Sequence, residues 1–303
     1  MNADARTEIR TTLDWGSLAP LRLRARMVAE GAYSGAHRSA RRGAGVEFGG
    51  HREYVPGDDL RWLDRRSLLR HDRLQVRQFE TETDRALRLV VDATASMGYR
   101  GSRALGAKLA YSALVAAALS RIAITGGDPV GVQFIGGDDL RSLPRSGGRE
   151  QFERIVATLE RAEAGGDARA NLPMVEEALG GLARTARRGA MVVVLSDLLD
   201  LPEGASDFVC ALAARGRVLV VVQVLDPDEV DFPFEGTLRV RALEGSTVVE
   251  TDGESAREAY VARLAELAET WERALAPRGG RLVRAVTSTD PVTTVREIVA
   301  KLF

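Results

Sequence analysis

Five short runs of aliphatic and β-branched residues, separated by helix-patterned segments, constrain the fold of this chain more than any other feature. They are Ala86–Asp92 (ALRLVVD), Val130–Ile135 (VGVQFI), Ala190–Ser196 (AMVVVLS), Val218–Leu225 (VLVVVQVL) and Arg281–Val286 (RLVRAV). A strand with one wet face alternates apolar and polar residues. Near-continuous runs such as these fit strands covered on both faces, as in a parallel sheet between two helical layers. The intervening segments supply those layers. Ser102–Arg121 is rich in alanine, and Gly148–Ala164 places Phe152, Ile155, Val156 and Leu159 at helical spacing. Leu172–Arg187 follows Asn171 as a candidate N-cap, and Ser206–Arg215 and Ser255–Leu275 complete the set. Leu140–Leu143 is expected as an antiparallel edge. The order predicts an α/β fold with a doubly wound, mostly parallel, Rossmann-like sheet.

Two regions depart from the alternation. Residues 1–84 are expected to form an N-terminal extension, leaving 85–303 as the α/β domain. Residues 226–251 contain two β-patterned pieces around Glu244-Gly245-Ser246, predicting an inserted hairpin. With 45% hydrophobic and 28% charged residues, neither a disordered nor a fibrous chain is expected. The longest uncharged apolar stretch, Leu109–Ser120, is shorter than the ~17–25 residues that span a bilayer, and the first ten residues carry charges where a secretory signal would need an apolar run. A cytoplasmic protein without membrane insertion is therefore expected. Cys210, the single cysteine, excludes an internal disulfide and sits in a helical, core-like context. Residues 21–80 carry 13 Arg against 8 acids. Acids are spread through the same segment on either side of Arg38, Arg41 and Arg42, and no aromatic stacking residue lies within that cluster, so a nucleic-acid partner is not expected.

In doubly wound sheets ligands bind beyond the carboxyl ends of the strands near the switch point, which directs attention to the loop after the first run. That loop, Asp92-Ala93-Thr94-Ala95-Ser96-Met97-Gly98, offers one carboxylate and two hydroxyls at alternate positions. A tight turn can bring these oxygens to one side, where they suit a hard cation such as Mg²⁺ or Mn²⁺. Asp197, at the end of the run 190–196, would join them if its strand lies beside the first. The same residues also serve as ordinary helix-capping and turn groups. Other chemistries fail on the letters. Thr94–Gly98 is one substitution from a nucleophile elbow, but His37, His51 and His71 all precede Ser96, so no late histidine can act as its base. Neither G-x-G-x-x-G nor G-x-x-x-x-G-K-[ST] is present at the required place.

The Asp-Ala-Thr-Ala-Ser loop resembles the D-x-S-x-S metal-ion-dependent adhesion site of von Willebrand factor A domains, with Thr94 for the first Ser. Tyr54-Val55-Pro56-Gly57-Asp58-Asp59-Leu60-Arg61, the following Asp64, and Leu74-Gln75-Val76-Arg77-Gln78-Phe79-Glu80 are similar to the signature of bacterial domain-of-unknown-function family fifty-eight. There a Y-x-P-G-D-D-x-R-x-I-D-W block precedes a von Willebrand A-like domain. Asp226-Pro227 and the late hairpin extend the likeness, which covers about residues 45–303. Arg65 stands where the block has Trp.

This resemblance implies a metal held by Asp92, Thr94, Ser96 and Asp197. It would be weak, because Ala170 occupies the position of a further liganding Thr. It also implies a non-enzymatic adaptor or co-chaperone of a MoxR-type AAA+ ATPase and its client, with an open metal position completed by a partner carboxylate. The block Tyr54, Gly57, Asp58, Asp59, Arg61 and Asp64 is either a partner-docking surface or an ion-pair network tying the extension to the domain. A metal-dependent hydrolase using Asp92 and Asp197 is the alternative from another class. The chain offers no histidine on that rim as a base.

Overall fold

The computed structural model describes residues 21–33, 47–55, 74–80, 85–137, 140, 142–168, 171–199, 201, 202, 204–241, 243 and 248–302. Two compact units are present, residues 37–84 and the remainder. In the smaller unit β1 (Glu47–Glu53) pairs antiparallel with β2 (Gln75–Glu80), with a bulge between Phe48 and Gly50. The boundary falls inside the segment expected to be a single extension. Helix α1 (Leu21–Tyr33) belongs to the larger unit because Leu21, Ala25, Val28 and Ala32 are buried in its core.

The sheet of the larger unit has six strands. They are β3 (Leu87–Ala93), β4 (Val130–Gly136), β5 (Leu143–Ser146), β6 (Met191–Ser196), β7 (Val218–Leu225) and β10 (Arg281–Val286), in the spatial order β10-β7-β6-β3-β4-β5. Only β5 is antiparallel. All five predicted runs are strands. The chain builds outward from β3 through β4 to β5, then crosses to β6 and proceeds the other way. The carboxyl ends of β3 and β6 therefore flank the switch point, where diverging connections leave a crevice. This is the doubly wound, mostly parallel α/β architecture expected.

One face of the sheet is covered by α2 (Lys108–Thr125), α3 (Gly148–Glu160) and α8 (Pro291–Leu302), with α1 packed on α2 and α8. The other carries α4 (Leu172–Thr185), α5 (Ala205–Ala211) and the long α7 (Gly253–Leu275). Asn171 caps α4 by accepting from the Met174 amide, as its position suggested. Helix α2 has the length and hydropathy of a bilayer span, yet 78% of it is buried beneath α1, α3 and α8. Its alanines let the sheet and α1 approach it from opposite sides. Cys210 is a buried core residue whose thiol donates to the Ala274 carbonyl at 3.4 Å, and burial pushes its pKa up.

Three differences from the sequence pattern matter. Helix α2 begins six residues later than Ser102, because Gly101–Ala107 is held as a loop by distant carboxylates. A short helix, α6 (Pro227–Asp231), opens the segment read as hairpin. The hairpin itself is β8 (Thr237–Arg241) and β9 (Val248–Asp252). Helix α8 has no counterpart in the strand-and-helix pattern above, although Val295, Ile298 and Leu302 form its buried stripe.

Candidate functional site at the carboxyl rim

Parallel pairing of β3 with β6 runs from Leu87↔Met191 to Val91↔Leu195, which brings the ends of both strands to the same rim. Asp92 is the penultimate residue of β3, and Asp197 follows β6 directly. The Asp92 carboxylate is fully partnered. Oδ1 accepts from the Thr94 amide at 3.0 Å and the Thr94 hydroxyl at 2.7 Å, while Oδ2 accepts from Ser196 Oγ at 2.5 Å. Thr94 Oγ1 and Ser96 Oγ lie 3.2 Å apart. The hydroxyl pair is thus gathered on one side, as the alternate spacing predicted. Beyond Thr94 the chain makes a single 3₁₀ turn, Ala95–Gly98, closed by the Met97 amide on the Thr94 carbonyl.

A second loop closes over the first. The Ala95 amide donates to Gly166 O at 3.1 Å, Gly165 N to Ala93 O at 2.8 Å, and Gly137 N to Gly165 O at 2.8 Å. Gly136 makes this approach possible. Its φ is +69°, and a Cβ there would stand 2.9 Å from the Thr94 amide nitrogen and 3.0 Å from Gly165 O. Closure leaves Thr94 only 2% and Ser96 only 4% exposed. Both hydroxyls thus lie beneath the closed loops and not on the open surface of the rim. Backbone hydrogen bonds between the loops cover them.

Charge organises the rest of the rim. Lys108, the first residue of α2, is entirely buried, and its Nζ donates to Asp197 Oδ2 at 2.7 Å and Glu229 Oε1 at 2.5 Å. The other oxygens of those acids are also engaged, Asp197 Oδ1 by the Leu199 amide and Glu229 Oε2 by the Asp226 amide. Burial pushes the ammonium's pKa down, but the two carboxylates outweigh it and hold Lys108 above its ordinary value. Burial raises the Glu229 carboxyl, opposed by Lys108.

Asp226 caps α6 through the Asp228 amide and reaches the Gly101 amide at 2.8 Å. Asp228 accepts from the Ser102 amide and from Arg103 Nε, and Arg103 also donates to Asp231 and to the Pro227 carbonyl.

Burial, and then the nearby charge of Asp197, push Asp92 up to about 7 from an ordinary 3.8, against hydrogen bonds from Ser196 and Thr94. The folded protein consequently keeps a proton that the unfolded chain releases. Asp92's contribution to stability is complete below about pH 4 and is lost as pH rises through about 7. Urea titrations of wild type and Asp92→Asn should show the wild type losing stability relative to the variant across that window, and no further above it. A difference independent of pH would refute the assignment.

The four residues predicted to hold a metal are brought to one rim, but the donor set fits a divalent ion poorly. Asp197 is already neutralised by Lys108, and Asp92 accepts three protein donors. Among the described residues no group of three or more His, Cys, Asp or Glu converges as a metal cluster.

In the predicted docking block, Tyr54 follows β1, half-buried, with its amide on the Leu74 carbonyl at 2.8 Å. Gly57, Asp58, Asp59, Arg61 and Asp64 lie outside the described residues, as do Ala170, the clustered Arg38, Arg41 and Arg42, and the turn 244–246. Sequence reasoning missed Lys108, Ser196, Asp228 and Glu229. Lys108 did carry a signal, being one of two lysines in the chain and a lone charge at the head of an apolar helix.

Comparison with known proteins places the chain. Uncharacterized proteins of Mycobacterium tuberculosis (strain ATCC 25618 / H37Rv) and Mycobacterium bovis are each 32% identical over 237 residues, covering 77% of this chain and 72% of theirs. Among solved structures, the conserved hypothetical protein BatB from Bacteroides thetaiotaomicron aligns with a TM-score of 0.44 at 18% identity, over 72% of this chain and 98% of that one. An aerotolerance-related membrane protein from Bacteroides fragilis aligns with a TM-score of 0.45 at 17% identity, with the same coverage. The sequence model described as "Protein of unknown function DUF58" matches residues 50–270. From that match and the mycobacterial relatives, the chain belongs to the DUF58 family of proteins of unknown function.

Proposed function

We propose that this chain is a non-enzymatic protein-binding module, an adaptor or co-chaperone that docks a MoxR-type AAA+ ATPase through the carboxyl rim of its sheet. The observation that carries this reading is the loop Tyr99–Ala107. It is braced from within by Asp226, Asp228 and Arg103, and closed at its base by the Lys108 amide on the Tyr99 carbonyl at 3.2 Å. On this braced loop Leu105 is 73% exposed, the most exposed large hydrophobic residue among those described. Rigid presentation of an apolar side chain lowers the ordering cost of docking and suits an anchor at the centre of an interface. The partner class comes from the family resemblance.

A hydrolase is less well supported. Either Asp92 or Asp197 would have to activate water, and all four of their carboxylate oxygens accept protein donors.

Capture of the MoxR-type ATPase from the same genome tests the proposal. Leu105→Asp is expected to weaken capture at least about tenfold, the scale for losing an interface anchor, with no change in melting temperature. Undiminished capture would refute the rim as the interface and direct attention to the Tyr54–Asp64 block.

A further inference from the structure

We infer that Lys108 is the resident cation of this rim, so that the site is assembled by an ammonium group instead of a divalent metal. A cation at the end of β6 has two tasks, to neutralise buried carboxylates and to tie together the segments that bear them. Lys108 performs both. It joins the head of α2 to Asp197 after β6 and to Glu229 in α6, at 2.7 and 2.5 Å, without any exposure to solvent. Each acid's second oxygen is satisfied by a backbone amide, so both are fully partnered within the chain.

Helix propensity does not explain the lysine. A positive charge in the first turn opposes the helix dipole, and burying it costs more again, so only the two acids make the position tenable. A divalent ion would have to displace the ammonium from Asp197 or bind beside it through Asp92, Thr94 and Ser96 alone. The first route leaves a buried ammonium without one of its two counter-charges. The second provides a single carboxylate that already accepts three donors. Electrostatics therefore favour exclusion of the metal.

This inference concerns the same rim as the docking proposal, but its test needs no partner, so either can fail alone. Full-length wild type is titrated with Mn²⁺ by electron paramagnetic resonance, and its melting temperature is followed with chelator and with millimolar Mg²⁺ or Mn²⁺. No bound Mn²⁺ and no thermal shift are expected. Stoichiometric Mn²⁺ binding abolished by Asp92→Ala, or a melting temperature lowered by chelator, overturns the inference.

Lys108→Gln is compared with Lys301→Gln, a change at the chain's other, partly exposed lysine, which donates to the Leu282 carbonyl and pairs with Glu297. The Lys108 variant should melt roughly 10 °C lower and regain part of that loss in Mn²⁺, whereas the Lys301 variant should shift little. Equal small shifts in the two variants, or a Lys108 variant indifferent to Mn²⁺, count against it. If the Lys108 variant does not fold, the wild-type titration decides alone.

Discussion

Asp226→Ala is expected to remove about 2–5 kcal/mol of stability, the cost of stranding two buried amides, one of which is the capped amide at the start of α6. The Asp226 side chain is completely buried, and its two oxygens serve the Gly101 amide at 2.8 Å and the Asp228 amide at 2.9 Å. Alanine leaves both donors without a partner in a place water does not reach. It also releases the loop that carries Leu105, so docking should weaken together with stability. Urea unfolding monitored by fluorescence measures the loss. A change below about 1 kcal/mol, the ordinary net worth of one hydrogen bond, would show that the loop is not held from α6. The same geometry explains why residue 101 is glycine. A Cβ there would lie 2.2 Å from Asp228 Oδ2 and 2.4 Å from Asp226 Oδ1.

Gly136→Ala should cost about 2–4 kcal/mol, combining a left-handed backbone with an intrusion that the packed loops cannot absorb. The neighbours a new Cβ would strike include the Thr94 backbone nitrogen and the Gly165 carbonyl, so relief requires movement of main chain and not of a flexible side-chain end. Separation of the two loops should expose Thr94 and Ser96, which closure now keeps buried. Hydrogen exchange at the Ala95, Gly137 and Gly165 amides reads this directly, since all three bond across the closed loops. Protection equal to wild type at those amides, with unchanged stability, would contradict the account.

Local composition and periodicity determined the strands and the chemistry at the tip of the first one. Buried parallel strands need apolar residues on both faces, so Leu87–Ala93, Val130–Gly136, Met191–Ser196 and Val218–Leu225 are legible from side-chain type alone. Asp92, Thr94 and Ser96 are close in sequence, and one 3₁₀ turn suffices to gather their oxygens.

What only the tertiary structure decided is which charges meet. Lys108 finds Asp197 89 residues away and Glu229 121 residues away, and Asp226 reaches Gly101 across 125. No periodicity encodes these pairings, because a polar residue's partner depends on which strands become neighbours and how deeply the site is buried. For the same reason Ser102–Ala107, helical by composition, is a loop. Buried carboxylates on α6 engage the Gly101 and Ser102 amides and the Arg103 side chain, and these bonds outweigh the modest propensity of a short alanine- and leucine-bearing segment.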